Sequence, residues 1–111
     1  DMFLGIGGGP EGVLAACALD AFGCHFQGRF IFDNENDIKE AHSMGIKDLK
    51  KKYEINEIVK GDSLFCATGI TSGDILKGIS LDKSTYISET LITHKSLNYK
   101  EIVKLIKPLD E

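Results

Sequence analysis

The sequence lacks the features that mark several classes of protein. It has no tryptophan, only two prolines, and no apolar run near the roughly 20 residues that a membrane span requires. Its first residues do not have the composition of a signal peptide. The net charge is −4, and the lysines and arginines are scattered, which argues against nucleic acid as the main partner. These absences predict a protein that binds neither a membrane nor nucleic acid.

Cysteine is also scarce. Cys17, Cys24 and Cys66 are an odd number of thiols, and no two of them have the CxxC spacing of metal and redox sites. Two of the three stand in apolar sequence surroundings. We therefore expect reduced, buried thiols in a cytosolic protein.

The length sets the scale of the fold. The 111 residues are enough for one small domain with one core, and 42% hydrophobic and 27% charged residues are ordinary globular values. Residue 1 is Asp1, and the sequence opens directly into what is predicted to be a core strand. We expect residues 1–111 to form a single domain that is the carboxyl-terminal part of a longer protein.

The first half of the sequence predicts strands alternating with helices. Residues 2–6 are continuously apolar, which is typical of a strand buried on both faces. A helix buried on all sides is predicted over residues 11–22, with Pro10 at its start and Gly23 at its end. A strand over 25–32 follows, then a helix capped by Asp33 or Asn34 and ended by Gly45. The basic residues near 47–55 suggest a short helix or turn.

The second half is predicted to be mainly strands. Residues 62–70 and 84–93 have strand composition, and 71–80 suggest a turn followed by a short helix or a bent strand. Residues 97–107 fit either a helix or the second strand of a hairpin, and the strand is favoured. The whole order indicates an α/β layered fold with a mixed sheet.

The run GIGGGPEGVLAA at residues 5–16 carries the strongest functional signal. It fits a GxGxxG dinucleotide fingerprint, with Asp33 placed to bind a ribose, although Glu11 would then repel the pyrophosphate. It lacks the lysine of a Walker loop. A tight turn that uses glycine for positive φ is the plainest alternative. Successive free N–H groups at a helix start would instead form an anion site.

Glu11 separates these interpretations. In the first helical turn it simply complements the helix dipole, an effect of about 0.3–1 kcal/mol. It is also suited to bind Mg²⁺ or Mn²⁺ that bridges to a phosphate, since these cations take a few carboxylates plus phosphate oxygens. One acid is not enough for such a site, so further carboxylates must come from elsewhere.

Other polar residues give weaker signals. The three histidines are not clustered in sequence, and none is expected to bind metal. Asp62 and Ser63 hint at nucleophilic chemistry, but no matching histidine or lysine arrangement is visible in the sequence. We therefore expect these residues to be structural.

Three segments of the sequence resemble one enzyme family. GIGGGPEGVLAACAL, together with FCATGITSGDILKGI and SETLI, resembles the carboxyl-terminal half of class II fructose 1,6-bisphosphatases, which include bifunctional fructose/sedoheptulose bisphosphatases. The resemblance implies the fold of the lithium-sensitive phosphatases, represented here by its carboxyl-terminal domain alone. It implies hydrolysis, dependent on Mg²⁺ or Mn²⁺, of the 1-phosphate of fructose 1,6-bisphosphate, a reaction of gluconeogenesis.

The resemblance also implies roles for individual residues. Glu11 falls on a metal ligand and Gly8 on a substrate contact, and we extend the substrate-binding assignment to Gly7 and Gly9. It places the other metal-binding acids in an amino-terminal half, so no catalytic residue is assigned here and the isolated 111 residues are expected to be inactive. It implies association as a homo-oligomer. A dinucleotide-binding domain and a non-catalytic assembly module of the same fold remain alternatives.

Overall fold

A computed structural model describes residues 1–109 of the chain. Three helices and six strands follow one another along it. In chain order they are α1 (Gly9–Ala21), β1 (Gln27–Arg29), α2 (Glu35–Ser43), β2 (Lys52–Glu54), α3 (Ile55–Ile58), β3 (Leu64–Thr68), β4 (Ser80–Asp82), β5 (Thr85–His94) and β6 (Tyr99–Pro108).

Strand β5 is the centre of the main sheet. β6 pairs with it along its full length, from Thr85↔Pro108 to His94↔Tyr99. β3 and β4 share its other edge, β4 opposite residues 85–87 and β3 opposite residues 90–94. The strand predicted at 97–107 is therefore confirmed as a hairpin partner, and a turn over residues 95–98 joins it to β5.

The expectation of a mixed sheet is wrong for the described residues, because all their strand pairs are antiparallel. Parallel neighbours need a crossover connection, usually a helix. Here the strands of the main sheet are joined by short turns and one loop, while the helices precede them in the chain. The broader prediction of an α/β fold, with helices and sheets, is confirmed.

The strand predicted over residues 2–6 does not form. Residues 1–8 have no regular structure, and their apolar side chains are exposed. A strand buried on both faces needs neighbouring strands and covering layers. Among the described residues, no strand pairs with this segment and no layer covers it.

Helix α1 follows its predicted sequence signals at both ends but not in its burial. It starts at Gly9, so that Pro10 is the second helical residue. At its end Gly23 has φ +68°, and the N–H groups of Gly23 and Cys24 donate to the carbonyls of Asp20 and Leu19. In α1, Ala16 and Ala21 are buried and residues 17–20 are half-buried, but residues 13–15 are exposed, so the prediction of burial on all sides is wrong.

The middle of the chain forms a small antiparallel ribbon. β1 is shorter than the strand predicted at 25–32, and its partner β2 lies where a basic helix or turn was expected. The side chain of Gln27 donates to Glu54 across the ribbon at 2.8 Å. The α2 prediction is confirmed, with Asn34 as the capping residue: its side chain accepts from the N–H of Asp37 at 2.9 Å.

The buried core is small. Among the described residues, the buried apolar side chains are Ala16, Ala21, Ala41 and Leu91. The radius of gyration is 18.1 Å, against roughly 13 Å for a compact domain of this length. The expected burial of the cysteines is also wrong, since Cys17 is half-buried and the other two are exposed. Within residues 1–109, no helix is long and apolar enough to cross a membrane.

The loop between β3 and β4 closes tightly on itself. The N–H of Ile79 donates to the carbonyl of Ile70 at 3.1 Å, and the N–H of Gly78 donates to the Ser72 hydroxyl at 2.9 Å. A Cβ on Gly69 would collide with the carbonyl of Lys77. A Cβ on Gly78 would lie 2.7 Å from backbone atoms of residues 70–72. The loop therefore needs glycine at both positions, and a short helix does not form within it.

These close approaches predict a difference between glycines of the same loop. Gly69→Ala and Gly78→Ala should each lower the free energy of unfolding by about 1–3 kcal/mol, because backbone must move to admit the methyl group. Gly73→Ala is the matched control, since nothing lies within 4 Å of its Cβ position. Urea unfolding of the three variants measures the effect. Equal stabilities for all three would contradict the loop geometry.

Candidate functional site

The first turn of α1 is open to an anion. Its N-cap, Gly8, has extended backbone (φ −69°, ψ 156°), and no side chain caps the helix. The N–H of Gly12 makes the first intrahelical bond, to the carbonyl of Gly8 at 3.0 Å. The N–H groups before it have no intrahelical partner, and the helix dipole adds a partial positive charge at this end. Both effects favour binding of a negative group.

The glycines before α1 do not serve a left-handed turn. The described glycines with positive φ are Gly23, Gly45 and Gly61, none of which belongs to this segment. Nothing lies within 4 Å of the Cβ positions of Gly7 and Gly9. The interpretation of the segment as a turn that needs positive φ is therefore wrong.

Gly8 differs from its neighbours because the Glu11 carboxylate occupies its side-chain space. A Cβ on Gly8 would collide with an Oε atom of Glu11. The side chain of Glu11 thus folds back toward Gly8, the N-cap of α1. The structure thus places Gly8 in contact with Glu11, the residues for which the family resemblance implies a substrate contact and a metal ligand.

The donor chemistry of this site suits a hard cation, but the described residues do not complete it. Carboxylate oxygens are the ligands that Mg²⁺ and related ions prefer. Within residues 1–109, no group of three histidine, cysteine or acidic side chains is placed to hold a metal ion. Glu11 can therefore be one ligand of a metal whose other ligands come from outside this part of the chain.

A second polar cluster joins the ends of β3 and β5. The Asp62 carboxylate accepts from the Ser96 hydroxyl at 2.7 Å and from the Ser96 N–H at 2.9 Å. His94 Nε2 lies 2.7 Å from the same carboxylate. The hydrogen bonds from Ser96, with those from His94 and Ser63, lower the pKa of Asp62 to about 2.

This cluster corrects the expectation that Asp62 has no histidine partner. The pairing of Leu64 with His94 brings His94 to Asp62, and 32 residues separate the two in sequence. Only a correct strand register would have revealed the contact. Ser96 and His94 both bond the carboxylate rather than each other, so the cluster does not activate a serine nucleophile. Its role is to tie the β5–β6 turn to the start of β3.

The comparisons with known proteins cover both the glycine segment and the β3–β4 loop. Residues 1–107 match the family described as bacterial fructose-1,6-bisphosphatase, glpX-encoded. The D-fructose 1,6-bisphosphatase class 2/sedoheptulose 1,7-bisphosphatase of Prochlorococcus marinus (strain MIT 9515) is 36% identical over 103 residues, which cover 80% of this chain and 31% of that protein. The protein of the same name from Trichormus variabilis (strain ATCC 29413 / PCC 7937) is 44% identical over 89 residues, covering 68% and 26%.

The chain belongs to the bacterial fructose-1,6-bisphosphatase family. The resemblance drawn from the sequence blocks is thereby confirmed. The chain spans about a third of the length of these relatives. The match to the bisphosphatase family includes the glycine segment, α1, and the whole β3–β4 loop.

Membership of the bisphosphatase family also bears on the dinucleotide alternative. That interpretation needs a strand before the glycine segment and a parallel βαβ unit. Residues 1–8 form no strand, and the described strand pairs are antiparallel. The GxGxxG spacing therefore belongs to the glycine segment that the bisphosphatase family matches, and it does not indicate a dinucleotide site.

The Asp62 cluster predicts a specific pH dependence of stability. Because the pKa of Asp62 in the folded chain, about 2, lies below its ordinary value of 3.8, the carboxylate stabilises the fold fully above pH 3.8. This contribution is lost as the pH falls through about 2. The stability gap between the parent chain and Asp62→Asn should therefore shrink over that window.

Urea unfolding of both proteins between about pH 5 and pH 2, at constant salt, measures this gap. Asp82→Asn is the control, since Asp82 is also exposed and its carboxylate has no hydrogen bond among the described residues. A gap for Asp62→Asn that stays constant with pH would contradict the role given to its carboxylate.

Proposed function

We propose that this chain is the part of a metal-dependent sugar-bisphosphate phosphatase that supplies the phosphate-binding helix start and one metal ligand. The observation that carries the proposal is the Glu11 carboxylate lying over Gly8 at the uncapped start of α1. A carboxylate beside free N–H groups suits a site where a cation and a phosphate meet. The family match supports the same chemistry.

The proposed reaction is hydrolysis of the 1-phosphate of fructose 1,6-bisphosphate to fructose 6-phosphate and phosphate. The relatives are named for this substrate and for sedoheptulose 1,7-bisphosphate. Mg²⁺ or Mn²⁺ is the proposed cofactor, since both take carboxylate and phosphate oxygens. The proposed fold of the complete enzyme is that of the lithium-sensitive phosphatases. The proposed setting is a cytoplasmic homo-oligomer acting in gluconeogenesis.

Each residue at the helix start has a distinct proposed task. Glu11 holds a divalent ion through its carboxylate. Gly8, with Gly7 and Gly9, leaves room for a phosphate to approach the backbone. The N–H groups of the first turn donate to phosphate oxygens and meet the negative charge that grows on them during hydrolysis. Bound at such a site, a divalent ion activates water and stabilises the leaving oxygen.

The role of Glu11 can be tested in a complete enzyme. A suitable one is a chimaera in which this chain replaces the matching segment of the Prochlorococcus marinus (strain MIT 9515) relative. Glu11→Gln should lower kcat about a hundredfold or more, because a transition-state charge loses its metal. Raising Mn²⁺ should restore part of the rate. Phosphate release from fructose 1,6-bisphosphate, measured against Mn²⁺ concentration, gives both values.

Glu35→Gln is the control for this test. Glu35 stands in the first turn of α2, so it shares the dipole environment of Glu11 but not the glycine segment. The control should keep the parent rate and metal requirement. If the Glu11→Gln enzyme kept the parent rate at low Mn²⁺, Glu11 would not be a metal ligand.

Gly8 can be tested by filling the space that Glu11 uses. Gly8→Ala should displace the carboxylate, lower kcat/KM for the bisphosphate by at least about tenfold, and raise the Mn²⁺ requirement. Gly12→Ala, whose Cβ position has nothing within 4 Å, is the control for helix propensity. Steady-state kinetics of both variants in the same chimaera measure kcat/KM and the Mn²⁺ requirement. Equal effects of the two substitutions would show that the Gly8–Glu11 contact is unimportant.

A further inference from the structure

Asp20 stands at a position that α1 by itself disfavours. It lies in the last turn of the helix, where the helix dipole is negative, and no basic residue occupies that turn. Its side chain is only 12% exposed. A carboxylate at such a position loses hydration and is repelled by the helix, so a contact from outside the helix must compensate it.

The Lys95 ammonium supplies this compensation. It lies 2.8 Å from Oδ2 of Asp20, and the lysine side chain is itself only 40% exposed. Among the described residues, no other donor reaches that buried oxygen. Removal of Lys95 would therefore leave a largely buried carboxylate unpaired, which costs more than the loss of an ion pair on the surface.

The backbone around Lys95 is fixed to the start of β3. The N–H of Lys95 donates to the carbonyl of Ser63 at 3.0 Å. On either side of Lys95, His94 and Ser96 bond the Asp62 carboxylate. The β5–β6 turn therefore presents Lys95 to α1 from a fixed position, and the Asp62 cluster contributes to that position.

Apolar packing alone fixes α1 weakly. Its buried side chains, Ala16 and Ala21, are both alanine, and residues 13–15 are exposed. Methyl groups interdigitate little with a neighbouring surface, so they oppose sliding or rotation of a helix less than large side chains do. Asp20 follows Ala16 by four residues and shares its face of the helix, so the ion pair adds a directional contact to that face.

The position of Asp20 determines that of Glu11, because both belong to one continuous helix. Asp20 stands nine positions after Glu11, which corresponds to about 14 Å along the axis and about two and a half turns. Glu11 therefore lies on the opposite face, at the open end of α1. A shift of the helix at Asp20 would move the Glu11 carboxylate by a similar amount, and a functional site needs its groups held to within about 0.5 Å.

We propose that Lys95 is a positioning residue for the metal site: its ion pair with Asp20 sets the axial position and rotation of α1, and thereby the place of the Glu11 carboxylate. The inference rests on the proposed function, because it takes Glu11 to be a metal ligand. Lys95 contacts neither metal nor substrate and acts through the helix alone.

The test uses the chimaera of this chain with the Prochlorococcus marinus (strain MIT 9515) relative. Lys95→Met should weaken Mn²⁺ binding about tenfold, because α1 no longer holds Glu11 in place. Electron paramagnetic resonance of free Mn²⁺ measures the dissociation constant without substrate, at a temperature where circular dichroism shows each variant to be folded. Lys95→Arg keeps the positive charge and should restore most of the affinity.

Lys51→Met is the matched control. Lys51 also forms an ion pair, 2.9 Å from Glu57, but both side chains are exposed and neither belongs to α1. The control should bind Mn²⁺ with the parent affinity. Loss of a positive charge by itself favours a cation, so weaker binding by Lys95→Met is not a simple charge effect. Equal dissociation constants for Lys95→Met, Lys51→Met and the parent would overturn the proposal.

A paired substitution separates positioning from stability. Asp20→Leu together with Lys95→Met replaces the ion pair by apolar side chains, a change that is often neutral or stabilising for a buried pair. The double variant should therefore resist urea as well as the parent, yet bind Mn²⁺ as weakly as Lys95→Met alone. Parent affinity in this variant would show that the pair only stabilises the fold, which overturns the proposal. The comparison of Lys95→Met with Lys51→Met stands even where the double variant does not fold.

A cycle with Glu11 separates this inference from the proposed function. Glu11→Gln should weaken Mn²⁺ binding, and Lys95→Met added to it should weaken binding no further, because Lys95 acts through Glu11. A further loss in that double variant would overturn the inference. If Glu11→Gln weakened binding and Lys95→Met did not, the inference alone would fail. If Glu11→Gln kept the parent affinity, the metal role in the proposed function would fail and the inference with it.

Discussion

Strand β5 is the element on which the described structure depends. Each of the other strands of the main sheet pairs with it, and β6 does so over ten consecutive residue pairs. Without β5, the strands β3, β4 and β6 would have no neighbour in the described chain. The β5–β6 hairpin is built from contacts close in sequence, whereas the pairing of β3 with β5 joins segments more than 20 residues apart.

The candidate site depends on this hairpin through α1. The Lys95 ammonium, in the β5–β6 turn, lies 2.8 Å from the largely buried Asp20 carboxylate of α1. The Lys100 ammonium lies 5.5 Å above the ring of Phe22, just after the helix. Both contacts hold the carboxyl end of α1, while its other end, with Glu11, meets solvent. These contacts therefore fix α1 at the end away from the candidate site, and its first turn stays accessible to a ligand.

Local signals in the sequence predicted local structure well. Gly23 and Gly45 end their helices with positive φ, and Asn34 caps α2, because each effect involves only residues within one or two turns. The family resemblance implied roles for Gly8 and Glu11 through one short motif; the two residues lie in contact, and their roles stay predictions. The sequence did not predict the register, that is, which residues of distant strands pair with each other. The contact of Asp62 with His94 and the pairing of β1 with β2 depend on segments far apart in the chain.

The failed prediction for residues 2–6 is informative for the same reason. A continuous apolar run predicts a strand covered on both faces, but it does not identify the elements that cover it. The described chain has four buried apolar side chains and a radius of gyration well above that of a compact domain. The apolar residues of the sequence therefore fit a larger core than the described residues form. The same incompleteness appears at the candidate site, where the described residues offer one carboxylate, fewer ligands than a divalent ion needs. The exposed apolar run at residues 2–6 and the carboxylate of Glu11 lie within ten residues of each other, so both shortfalls concern the same end of α1.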